Sequence, residues 1–96
     1  MKLDQQQILS FLMGKEKMSQ DEALKTLAAI TKAYVSFITK GSSTKNFRRE
    51  PGYKPPIYRV RLNKKIRVCL ILIGDKLQIF AYDKDKKASR CQDHLR

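Results

Sequence analysis

Arg59, Arg61 and Arg67 are the residues of this 96-residue chain whose type and spacing best suit chemistry. They lie in two apolar-rich segments, 57–62 (IYRVRL) and 66–73 (IRVCLILI), that read as neighbouring strands. A three-residue loop of Asn63, Lys64 and Lys65 sets Leu62 against Ile66, Val60 against Val68 and Tyr58 against Leu70 on one apolar face. The same register sets Arg61 against Arg67 and Arg59 against Cys69 on the other. A two-residue loop would mix the faces, so the pleat favours the first register. Like charges opposed on a sheet are destabilising. An arginine cluster kept at that cost suits an anion, because the planar guanidinium matches phosphate oxygens. The plainer alternative is two surface arginines, with the third paired to Glu50 or Asp75.

The rest of the chain supports a polyanionic partner. Residues 40–96 carry sixteen of the 21 basic residues and five of the nine acids, within a formal net charge of +12. Such asymmetry attracts phosphate-rich ligands, RNA above all, although a basic face can also serve solubility alone. Lys45, Arg48, Arg49 and Lys54 alternate with Phe47 and Tyr53 in segment 41–56, and Lys64 and Lys65 sit in the hairpin loop. Cations beside rings suit single-stranded RNA, where rings stack on bases. Equally, Phe47 and Tyr53 can tuck this segment onto the core.

Other chemistries are poorly served. His94 is the chain's single histidine, and histidine is the residue type that titrates near neutrality. It is the third-last residue of the sequence, where a solvent-exposed role is the plain expectation. Asp83 and Asp85 could bind a hard cation, but Lys84, Lys86 and Lys87 argue against a metal site. Nucleophile motifs, phosphate-binding glycine loops and dinucleotide fingerprints are absent from the sequence, so no cofactor is expected. Cys69 lies in an apolar run and reads as a small core residue. With Cys91 it forms no C-x-x-C, so a disulfide is not indicated and a reducing cytosol is the expected compartment. No apolar run approaches membrane-spanning length, and the N-terminus lacks a signal-peptide core.

The positioning elements follow from pattern. Residues 1–40 read as a helical hairpin from the start of the chain. Asp4 caps the first helix, with Gln7 completing a capping box and Gly14 as a left-handed stop. Ser19 with Glu22 caps the second, which ends at Lys40–Gly41. Its core stripe is read as Leu24, Leu27, Ala28, Thr31, Tyr34, Val35 and Ile38. Residues 41–56 read as a basic loop, 57–82 as an antiparallel sheet with a Gly74–Asp75 hairpin turn, and 83–96 as a basic tail, frayed or a short helix. The expectation is a single α+β domain, a helical hairpin packed on an antiparallel sheet of three or four strands.

The segment YRVRLNKKIRVCLILIGDKLQIFAYDKDKK resembles the C-terminal sheet of the RelE/ParE-like toxin superfamily, in its mRNA-cleaving RelE and HigB branches. Tyr58-Arg59-Val60-Arg61-Leu62 matches that family's basic strand, Ile66-Arg67-Val68 its second and Gly74-Asp75-Lys76 its hairpin. The resemblance implies a β-strand ahead of the helical hairpin, where the residues here read as helix. It also implies a metal-independent endoribonuclease that cuts mRNA on the ribosome and is neutralised by an antitoxin, which for so basic a chain would be acidic. By position it casts Arg59, Arg61 and Arg67 as holders of the scissile phosphate, Lys87 as a late-sheet cation and His94 as an acid–base candidate. A non-catalytic module gripping RNA, DNA or an acidic protein is the competing expectation.

Overall fold

In a computed structural model, which describes residues 1–84 and 91–95, the chain is α+β with two helices and a five-stranded mixed sheet. The elements are β1 (Lys2–Leu3), α1 (Gln5–Gly14), α2 (Gln20–Lys40), β2 (Phe47–Glu50), β3 (Ile57–Arg61), β4 (Arg67–Ile73) and β5 (Lys76–Asp83), followed by a 3-10 turn at Cys91–His94. The sheet order is β1-β5-β4-β3-β2. Its β2 to β5 pairs are antiparallel, and β1 joins β5 in parallel.

Three features depart from the sequence reading. The chain opens with a strand rather than a helix. Lys2 and Leu3 pair with Lys76 and Leu77, a match too short for two-residue periodicity to reveal. Segment 41–56 contains β2, which adds a fifth strand beyond the three or four expected. Thr44 organises its start, its Oγ1 accepting from the N–H groups of Asn46 and Phe47. The core stripe of α2 is also rotated. Ala23, Leu27, Ile30 and Ala33 are buried, with Tyr34 and Phe37 packed beside them, while Leu24, Val35 and Ile38 are exposed. Both stripes run at helical spacing. Leu27 and Tyr34 belong to both, and Phe37 decides between them, because it meets the rings of Phe47 and Tyr58.

Those rings hold the basic half of the sheet to α2. Phe37 and Phe47 lie 4.8 Å apart between centroids, Phe37 and Tyr58 5.5 Å, and Phe47 and Tyr58 5.4 Å. Phe47 is fully buried, so it tucks its segment onto the core instead of facing a base. Val60, Val68, Leu70, Leu77 and Ile79 extend this helix-side core, and Ile8 and Leu12 of α1 close it.

Local signals explain most boundaries. Asp4 accepts from the Gln7 N–H at 3.2 Å, and Ser19 accepts from the Glu22 N–H at 3.2 Å. Gly41 takes φ +79°, where a side chain would be strained, and its N–H donates to the Phe37 carbonyl. Gly14 is the last residue of α1 and is not a left-handed stop; the positive φ falls at Lys17. Gln7 does not complete a capping box. Its side-chain amide instead donates to the Ile79 carbonyl at 2.9 Å and accepts from the Ile79 N–H at 2.8 Å. It thereby replaces the strand partner that β5 loses where β1 ends.

Packing of this kind predicts an asymmetric response to truncation. Phe47→Ala should cost about 3–5 kcal/mol of unfolding free energy, whereas Val35→Ala should stay within about 0.5 kcal/mol. Urea denaturation followed by circular dichroism checks both.

Candidate phosphate-binding face

The register expected for β3 and β4 is the one observed. Val60 opposes Val68, Tyr58 opposes Leu70, Arg59 opposes Cys69 and Arg61 opposes Arg67. The loop is Asn63–Lys64–Lys65, with the Leu62 N–H donating to the Ile66 carbonyl. Asn63 Oδ1 closes it by accepting from the N–H groups of Lys65 and Ile66 at 2.8 and 2.9 Å. Because successive side chains alternate in facing, the valines enter the helix-side core and the arginines project from the outer face.

The added strand enlarges this cluster. Arg48 lies directly opposite Arg59 in the β2–β3 pairing, so a residue assigned to a loop becomes part of the sheet face. Lys45, Arg48, Arg59, Arg61 and Arg67 together line a hollow of about 160 Å³. Among the described residues, none of these arginines has an acidic partner within ion-pairing distance. The alternative in which one arginine pairs with Glu50 or Asp75 is therefore not realised. Arg67 turns toward the hairpin loop, its Nη1 donating to the Asn63 carbonyl at 2.7 Å and the Ile66 carbonyl at 3.2 Å. Burial, and then the charges of Arg61 and Arg59, lower its guanidinium from the ordinary value. Arginine nonetheless stays charged in proteins, so the cluster presents fixed positive charge.

The other expected residues divide. Arg49 lines a neighbouring hollow of about 290 Å³ with Arg48, Glu50, Pro51 and Arg59. Lys64 and Lys65 are exposed on the loop beside Arg67, and Lys54 is exposed in the segment before β3; none of the three lines the arginine hollow. Lys87 lies outside the described residues. On the helix side, burial and then the charges of Glu16 and Glu22 raise the Tyr82 hydroxyl.

The tail holds the main correction. Cys69 and Cys91 form a disulfide, with Cα atoms 5.8 Å apart, contrary to the expectation of unbridged cysteines. Cys69 does sit in the sheet as expected, but on its outer face. There Ile57, Cys69, Ala81 and Cys91 form a second small core, flanked by Tyr53, Ile71, Phe80 and Leu95. Tyr53 thus packs here. The inference of a reducing compartment, drawn from the absence of a bridge, loses its basis. Among the described residues no helix is long and apolar enough to cross a membrane.

The bridge also changes the setting of His94. Its Nε2 lies 3.0 Å from Asp83 Oδ2, and the His94 and Asp83 side chains are only 30% and 16% exposed. Asp83 stands directly opposite Arg67 on β5. The histidine that reads as a free tail residue is therefore docked beside the arginine row. Asp83 is a site residue that sequence reasoning does not reach, because a register irregularity between Cys69 and Leu70 is what brings it opposite Arg67. No family model, curated protein or solved structure matches the chain.

Opposed arginines carry a stability cost that substitution should release. Arg59→Gln is expected to raise unfolding free energy by about 0.2–1 kcal/mol at low salt, and the gain should shrink at high salt as screening sets in. Urea titrations at two ionic strengths provide the check.

Proposed function

We propose that this chain binds RNA across the outer face of its sheet, with Arg48, Arg59, Arg61 and Arg67 holding backbone phosphates. The observation that carries this reading is the hollow lined by Lys45 and those four arginines, with no acid in its lining among the described residues. A row of guanidinium groups without acidic partners is desolvation-ready for phosphate oxygens, each of which can accept charge-assisted hydrogen bonds. Lys64, Lys65 and Arg49 at the margins supply further attraction without fixed geometry.

The finer form of the proposal is a metal-independent endoribonuclease of the RelE/HigB type, acting on ribosome-bound mRNA in the cytoplasm and restrained by an acidic antitoxin. Two observations support it. A strand precedes the helical hairpin and joins the sheet, as the resemblance implies. An imidazole, that of His94, stands at the end of the arginine row. Cleavage by 2′-hydroxyl attack needs proton transfer and cations at the developing phosphorane charge, and His94 with the arginines offers one of each. Binding without cleavage is favoured by one observation: among the described residues the hollow's lining consists of cations, with no general base among them.

Affinity for a single-stranded RNA oligonucleotide should fall steeply with salt. Arg61→Ala should weaken it and reduce the salt slope by about 1. Expression in a bacterial host with an oxidising cytoplasm, where the bridge forms, distinguishes the two forms: growth arrest with fragmented mRNA, abolished by Arg61→Ala, supports the nuclease. Intact mRNA and normal growth with RNA binding retained leave only the binding module, and an RNA affinity unchanged by Arg61→Ala refutes both.

A further inference from the structure

We infer that the Cys69–Cys91 bridge brings His94 to the arginine face, so that this site is complete only in the oxidised chain, with Asp83 as the positioning residue. The inference deepens the RNA-binding reading and rests on it for its functional consequence. Its structural part stands on the bridge, the register and the His94–Asp83 contact.

The 3-10 turn at Cys91–His94 has four residues, too few for a helix to stabilise itself. Its described apolar anchors on the sheet are Cys91, 2% exposed, and the half-buried Leu95. Such limited apolar burial goes only part of the way toward offsetting the conformational entropy lost in ordering the turn, in which His94 makes further contact. The covalent bond supplies the missing constraint by tying Cys91 to Cys69 within β4. Cys69 pairs with Arg59 on one side and Ala81 on the other. The tether thus fixes the turn beside the arginines, and two residues along β5 from Ala81 lies Asp83, where the His94 ring docks.

Reduction reverses this. Two equivalents of a small-molecule thiol give Cys69 and Cys91 as free thiols and leave the reagent as its own disulfide. The turn then leaves the sheet and His94 leaves Asp83. The Asp83 carboxylate, directly opposite Arg67, loses its imidazole partner and turns to the nearest guanidinium. The site loses the imidazole and has one guanidinium neutralised. Loss of one hydrogen bond to a charged group corresponds to roughly a tenfold drop in affinity.

The test compares the oxidised full chain, the same chain in dithiothreitol, and Cys91→Ser, a change remote from the helix-side core. The His94 ring resonances are followed by NMR, and the affinity for a labelled single-stranded RNA oligonucleotide is measured in parallel. Reduction and Cys91→Ser should both move the His94 signals to those of an unstructured peptide and weaken RNA binding roughly tenfold. Asp83→Asn should restore most of that affinity in the reduced chain, an effect that a purely structural role for Asp83 would not produce. His94 signals that stay in place on reduction overturn the inference, as does equal RNA affinity in the two redox states. If RNA binds neither form while the His94 signals move, tail release stands and the RNA reading falls.

Discussion

The pairing of Val60 with Val68 is the constraint on which the molecule's surface chemistry depends. Both valines are buried against the helices, and burying them leaves β3 and β4 one permitted register. Once that register is set, Arg59, Arg61 and Arg67 have no other face to occupy. The loop of Asn63 stabilises the same choice from the turn side. Core packing on one side of the sheet therefore overrides charge repulsion on the other. The aromatic contacts of Phe47 extend this control to β2, because seating that ring in the core carries Arg48 to a position opposite Arg59.

How much of this could be read from residues alone depended on the range of the interaction. The β3–β4 register was legible because alternation and a short loop are local, and the Ser19 and Gly41 caps were legible for the same reason. Strand β1 was not, since two residues carry no periodicity and their pairing with β5 spans most of the chain. Nor was β2: Ser43, Thr44 and Asn46 signal a turn, and only the distant pocket for Phe47 reveals a strand. On α2, two stripes with the same spacing compete, and nothing within the helix distinguishes the one that meets Phe47 and Tyr58. Of the site, the three arginines were visible in sequence. Arg48 was assigned to the wrong kind of element, and the association of Asp83 with His94 depends on a bridge between cysteines 22 positions apart.

The outer face of the sheet is divided between two incompatible environments. At one end Ile57, Cys69, Ala81 and Cys91 exclude water; at the other, arginines require it or an anion. Cys69 and Arg59 are direct neighbours across β3 and β4, so the boundary runs between adjacent side chains. A small core beside the cations lowers the local dielectric, which strengthens any interaction they make with an anion. The helix-side face needs no such division, since its apolar residues meet α1 and α2 throughout.

The double hydrogen bond between Gln7 and Ile79 has a consequence for how the molecule behaves in company. An open strand edge invites pairing with another chain, and sheets that leave one uncovered tend to aggregate. Strand β1 covers β5 for only two residues, and beyond them the Gln7 amide occupies both backbone groups of Ile79. The opposite edge is β2, four residues long and carrying Arg48 and Arg49, whose charges repel a like copy. One border of the sheet is closed by an amide and the other is guarded by charge, so concentrated solutions of this protein should resist edge-to-edge association.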